Sequence, residues 1–574
     1  MWPSFSAKPV LIAAKWAGRL TSFWVVSICL LMPVSTAGAP QTRVVFGPEL
    51  FPRQAGPPIA VELTLNVPSI VTSALALEVW NGDPATGAAR VTAAWVAIDG
   101  RELVGPDQFK KAIATIRVPI DLAAGSHALT VRVAGAPGTF IRVSIAGTIL
   151  LPDVLVARSG HTATLLPDGR VLIAGGRGSA GALGTFEVFD PKAFSLSALD
   201  GAYMSPRESH SATLMPDARV LFAMGRDAAG VLSNAESCPT VVSVCAPTAS
   251  AGSSRSGQTA TLLPDGRVLL AGGSEASGAP LSTIEIFDPT PDPLSDDVYD
   301  SSRGRFVPWP HALGQARAGH TATLLADGRI LIAGGFGPEG ELALAELLDP
   351  ASGASTVLAS GLSTARARHT ATLQPDGTVL IAGGVSHGTA LRSLELFDPA
   401  TGRFHLLSQE LLIARAGHTA TLLPNREILV TGGENDTGAL THTELGGPPS
   451  DDTVGPLAAA IAPPDEAVDV DRTALVAVRF SEPIDPDSVS AAAVRLSSST
   501  EVPGLVSLGE GGLYVFFVPT APLAPGVEHT LTVEGLRDLA GHELPTLRAH
   551  FTTVHRPEIW TFEPNPKVTR SREH

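Results

Sequence analysis

Residues 158 to 176 read RSGHTATLLPDGRVLIAGG, and the phrase returns five more times. The other copies are RESHSATLMPDARVLFAMG from Arg207, RSGQTATLLPDGRVLLAGG from Arg255, RAGHTATLLADGRILIAGG from Arg317, RARHTATLQPDGTVLIAGG from Arg366 and RAGHTATLLPNREILVTGG from Arg415. Their starts lie 49, 48, 62, 49 and 49 residues apart, and recurrence at a near-fixed period marks a repeat architecture. In each copy two runs rich in Thr, Leu, Val and Ile flank a turn signal such as Pro167-Asp168-Gly169, which predicts an antiparallel hairpin. The second run ends on glycine: Gly175-Gly176, Gly225 alone in the second copy, then Gly272-Gly273, Gly334-Gly335, Gly383-Gly384 and Gly432-Gly433. Glycine there predicts a bend or a close approach that a Cβ would obstruct. Eleven or twelve residues on, a third strand carries Glu187, Glu236, Glu285, Glu346, Glu395 or Glu444, and in four copies it closes on Asp-Pro. A further apolar stretch, such as Phe404 to Leu412, supplies a fourth strand.

Four strands per repeat with no helical period predict an all-β chain whose centre, residues 147–447, is a six-bladed β-propeller. An open solenoid fits less well, because its turns are usually shorter and its two ends would need distinct polar caps. The last copy lacks a fourth strand after Glu444, and the segment from Gly147 to Val156 is expected to supply it. The repeat resembles the kelch repeat in its diglycine, its Glu-x-aromatic-Asp-Pro third strand and its Arg-x-Gly-His lead-in. The aromatic usually found after the Asp-Pro turn is weak, Phe306 and Phe404 being the best matches, and Met224 replaces one glycine.

Two recurring charges carry the functional question. Arg158, Arg207, Arg255, Arg317, Arg366 and Arg415 head the six copies, and the six glutamates stand at an equally fixed place. Salt bridges from blade to blade would use both sets. The other reading is a cationic ring at one mouth of the channel; in mammalian kelch propellers equivalent arginines can bind acidic peptides, which implies an anionic peptide or sugar here. His161, His210, His320, His369 and His418 recur in five different copies, so ring symmetry spreads them apart, and a repeated hydrogen-bonding role is expected rather than a metal site. Related propellers of the galactose oxidase family are copper oxidases that need a Tyr joined to Cys. Tyr203, Tyr299 and Tyr514 are in separate segments, none beside Cys238 or Cys245, so neither metal nor cofactor is expected. No catalytic triad, paired carboxylates or phosphate loop stands out, and the glycine pairs end strands rather than open helices.

Residues 40–146 alternate apolar and polar positions between turn signals such as Asn81-Gly82 and Asp99-Gly100, which predicts an N-terminal β-sandwich. It resembles, loosely, the accessory domain of bacterial surface proteins through VWNG at 79–82 and IDGRELVGPDQF at 98–109. A linker, 448–457, precedes a second sandwich at 458–555. There FSEPID at 480–485, PLAPG at 522–526 and RDLAG at 537–541 resemble the bacterial Ig-like domain of S-layer proteins, which implies a spacer or adhesion module. Residues 556–574 read as a tail.

Lys8, Lys15 and Arg19 precede an apolar run from Phe23 to Val34 and the small residues Ser35, Thr36, Ala37 and Ala39, the pattern of a secretory leader over 1–39. The run is short of the roughly 20 residues that cross a bilayer, so no transmembrane span is expected after cleavage. Export and a local cysteine pair together predict a disulfide between Cys238 and Cys245. The 574 residues carry 40 Lys+Arg against 56 Asp+Glu, net −16 with no basic run, which argues against nucleic acid. The expected protein is secreted or at the cell surface, non-catalytic, and binds an envelope or extracellular protein or a glycan. The alternatives are a carbohydrate oxidase or hydrolase and a purely structural envelope component.

Overall fold

The computed structural model describes residues 40–53, 57–67, 75–82, 90–109, 113–240, 245–289, 304–446 and 455–555. The leader (1–39), residues 290–302, which the longer spacing before the fourth copy marks as an insertion, and the tail (556–574) lie outside the described residues. Among those described, regular structure is β-strand, with three single turns of 3-10 helix. No helix among them is long and apolar enough to cross a membrane.

The first 110 or so residues after the leader fold as two four-stranded sheets. One runs in the order Pro40–Pro52, Phe140–Leu150, Leu75–Asn81, Thr115–Ile120; the other Ala60–Val67, Gly125–Ala134, Ala93–Ile98, Arg101–Val104. Period-two alternation turns Leu77, Val79, Val96, Val131, Val143 and Ile145 into one shared core.

Each repeat builds its own antiparallel sheet. The first is ordered Thr162–Leu165, Val171–Ala174, Thr185–Asp190, Ser195–Tyr203, and the fifth Thr370–Leu373, Val379–Ala382, Ser393–Asp398, Arg403–Glu410. Four of the six second strands, such as Ile330–Ala333, are buried along their whole length, as strands covered on both faces must be. Fourth strands are the weakest, shrinking to Ser355–Val357 in the fourth copy and Ala246–Pro247 in the second. In the second copy a Cys238–Cys245 disulfide ties the third strand to the segment before the fourth.

The sixth sheet has three strands, Thr419–Leu422, Ile428–Thr431 and Thr443–Gly446, and here the expected completion by Gly147–Val156 is corrected. Residues 147–150 finish a strand of the N-terminal sheet, Leu150 facing Pro40. Pro152 then has no N–H with which to extend a ladder. Leu151 and Val154 still pack on Leu429 and Leu445, and Val154 donates its N–H to the Thr441 carbonyl at 2.9 Å, so the segment covers the sheet without joining it as a strand.

Three sets of hydrogen bonds run from copy to copy and return to their start. Gly160 donates to the Gly417 carbonyl, Ser209 to Gly160, Gly257 to Ser209, Gly319 to Gly257, Arg368 to Gly319 and Gly417 to Arg368, all at 2.7 to 2.8 Å. The second glycine of each doublet donates to the carbonyl of the next lead-in arginine, from Gly176 to Arg207 through to Gly433 to Arg158. The third set is made by histidines. His210 Nε2 meets Thr162 Oγ1, His320 meets Thr259, His369 meets Thr321 and His418 meets Thr370 at 3.1 to 3.2 Å, and His161 returns to Thr419 at 3.1 Å. In the remaining seam Gln258 donates to Ser211 Oγ and to the Ala223 carbonyl.

The C-terminal sheets are Ala458–Ala462, Val476–Phe480, Tyr514–Pro519, Gly504–Gly509 and, opposite, Ala467–Val470, Leu547–Thr553, Glu528–Val533, Val494–Ser497, Glu501–Val502. They enclose a core of their own around Phe480, Val515 and Leu531. They also share one with the repeats: Ala477, Leu513, Tyr514 and Phe516 cluster with Leu262, Leu263 and Leu324.

Candidate functional site

The repeated charges are the natural place to begin. All six lead-in arginines are 0% exposed. Each pairs with the glutamate of its own copy: Arg158 with Glu187, Arg207 with Glu236 at 2.8 Å, Arg255 with Glu285 at 2.6 Å, Arg317 with Glu346 at 2.8 Å, Arg366 with Glu395 at 2.6 Å and Arg415 with Glu444 at 2.5 Å. The expected blade-to-blade bridge is therefore corrected to a bridge inside each sheet, and the arginines do not stand at an accessible mouth. The geometry gives the reason. Each guanidinium also donates to the carbonyl closing its own second strand, as Arg317 does to Gly334 at 2.7 Å, so one side chain joins the ends of the second and third strands. Most of the glutamates spend their remaining capacity on backbone N–H groups, Glu187 on Leu155 and Val156, Glu395 on Ser363 and Thr364, whereas Glu285 accepts from the Ser253 hydroxyl instead. A buried pair held in this way specifies one arrangement, and removing either member strands a charge.

The glycines sit where that network crosses between copies. A Cβ on Gly383 would meet the Arg415 carbonyl at 2.7 Å and His418 Cε1 at 2.8 Å, and its φ of 59° already disfavours a side chain. The five histidines are buried against arginine, and both effects lower their pKa, to about 3 for His161 and His369. They are neutral hydrogen-bonding groups across the physiological range.

A different site, unmarked by the repeat consensus, lies where the first strands converge. A cavity of about 250 Å³ is walled by the Ala-Thr-Leu stretches of the repeats and floored by Pro483 and the loop from Leu508 to Leu513 of the C-terminal sheets. The floor is anchored: Ser507 Oγ donates to the Pro216 carbonyl at 2.6 Å, and Lys192 Nζ reaches Asp487 at 2.9 Å. Glu510 lines the cavity and accepts the Leu262 N–H. Burial, only partly offset by that bond, pushes its pKa up to about 7. Glu510 keeps some surface, and that surface belongs to the cavity. The sequence reading missed this residue. The available signal was the run Gly509-Glu510-Gly511-Gly512, one acid among glycines in a strand-rich domain.

Among the described residues no three His, Cys, Asp or Glu side chains are gathered closely enough to hold a metal ion. Residues 452–553 match the model of the bacterial Ig-like domain. The Ig-like domain thus supplies the floor of the cavity. No curated protein matches the chain. Among solved structures, YjhT is similar at 16% identity and a TM-score of 0.43, over 51% of this chain and 96% of its own. A fungal alcohol oxidase of the AA5 family, in complex with copper, is similar at 16% identity and 0.41, over 70% of this chain and 98% of its own.

Proposed function

We propose that the six repeat sheets are the blades of a closed kelch-type propeller, and that the chain is an exported, non-catalytic protein that binds a protein or glycan of the cell envelope or its surroundings. The observation that carries the reading is the circuit of inter-copy hydrogen bonds returning from the sixth copy to the first, from Gly433 to Arg158 and from His161 to Thr419. A ring closed in this way is rigid, and its recurring charges are consumed inside it, which leaves loops and the central cavity as the surfaces open to a ligand. The Ig-like match supports a surface or extracellular setting. The leader read from the sequence supplies the route.

A carbohydrate-active enzyme is the second reading, and one observation favours it: a carboxyl with a pKa near 7 facing a cavity is a candidate general acid. A glycan array and an envelope pull-down, run beside a turnover assay on the captured sugars, separate the two. Capture without turnover supports the binding protein. Turnover that disappears in Glu510→Gln overturns it.

A further inference from the structure

The cavity has features that neither its walls nor its floor require for stability. Ala163, Ala212, Ala260, Ala322, Ala371 and Ala420, one from each copy, line it. All six are only partly buried, and any larger side chain at these places would fill the space. One polar group in it has unmet capacity. Glu510 accepts one backbone N–H, and among the described residues no cation offsets its burial; the titratable groups beside it are Tyr514, with Arg479 and Asp265 around that phenol. The backbone that presents Glu510 is also costly. Glu510, Gly511 and Gly512 have φ of 47°, 64° and 101°, and a glutamate in the left-handed region costs about 1–2 kcal/mol. A loop needed only as a plug could place glycine or asparagine there at less cost.

We propose that this cavity is a binding site for a small molecule bearing a protonated primary amine, with Glu510 as its counter-ion. An ammonium group has three donors and no acceptor, which suits a carboxylate. The alanines and leucines of the wall receive a short carbon body. A neutral polyol would leave the carboxylate uncompensated in a site that has already stripped its water. A divalent cation would find one carboxylate where it needs about six or more oxygen ligands. The net charge of −16 draws cations toward the molecule from a distance.

Ethanolamine, titrated calorimetrically into the full chain at pH 8 in potassium chloride buffer, is the probe, with ethylene glycol as its uncharged counterpart. The expected result is saturable 1:1 binding of ethanolamine and none of the glycol. Ionisation of Glu510 makes the affinity fall about tenfold from pH 8 to pH 6. Glu510→Gln, whose amide oxygen can still accept the Leu262 N–H, should weaken binding at least tenfold. Ala322→Leu, which fills the cavity and leaves the carboxylate in place, should do the same. Melting curves identify the folded variants, and if Glu510→Gln fails to fold, Ala322→Leu decides. The proposal is overturned by no saturable heat with ethanolamine, by equal binding of the glycol, by ethanolamine binding abolished on exchanging sodium for potassium, or by unchanged affinity in the folded variants.

Discussion

Met224 stands where the other copies have the first glycine of the doublet, and Gln258, in the following copy, stands where the others have histidine. The two departures explain each other. In the standard seam the space beside the glycine holds a histidine edge: a Cβ on Gly334 would come within 2.7 Å of His369 Cε1. Met224 keeps the left-handed backbone, φ 60°, and is fully buried, which the thinner amide of Gln258 permits. Gln258→His is therefore expected to destabilise the protein by about 1–3 kcal/mol as an overpacking change, and Met224→Gly should recover part of that loss. Urea unfolding of both single variants and the double variant measures the coupling; additive effects would refute it. The sequence showed both departures, but not that they face each other across a seam, because that pairing exists only after two copies meet.

Within a single sheet, the arginine ties two strand ends to one carboxylate, and this is its most vulnerable point. Arg366→Ala should cost about 3–5 kcal/mol, since Glu395 is left buried without its cation. Arg366→Lys should recover only a fraction, because the guanidinium also donates to the Gly383 and Ser393 carbonyls, a fork that one ammonium does not reproduce. Chemical denaturation gives both numbers, and equal stability of the Lys variant and the parent would contradict the argument. The strands and turns of these sheets were legible from the apolar runs and turn signals along the chain. The direction of the salt bridge was not, because two sets of residues at fixed spacing fit a bond within a copy and a bond between copies equally well. The same ambiguity misplaced residues 147–150: their β-forming sequence fits either sheet, and pairing with Pro40–Arg43 decided the matter.

The joined molecule makes stability depend on pH in two opposed ways. The unfolded chain protonates histidine near 6.5, whereas His161 and His369 resist protonation to about pH 3 when folded. Their contribution is present above pH 6.5 and is lost as pH falls toward 3, up to about 2 kcal/mol each by pH 5. His210, His320 and His418 act in the same direction. Glu510 works in reverse: its folded pKa is raised, so its contribution is present below the ordinary carboxylate range and is lost as pH rises through about 7. Five groups oppose one, so melting temperature should drop steeply from pH 7 to pH 4. His369→Gln, following the pattern of Gln258, should flatten that drop, and Glu510→Gln should remove a smaller decline between pH 5 and pH 8. A melting temperature indifferent to pH over 4 to 7 would show that the histidines are not buried as neutral groups.

The amino-acid order alone determined that the folded part of this chain is built from β-strands, that its middle is six copies of one hairpin-led unit, and that an Ig-like module follows. Those conclusions rest on alternation, turn chemistry and period, which are properties of neighbours along the chain. Which charges pair, where the circuit closes and which carboxylate enters the central cavity were decided only by the tertiary structure. Each of these joins residues tens to hundreds of positions apart, and Glu510 gains its raised pKa from burial in a cavity walled in part by a strand that ends 248 residues earlier at Leu262.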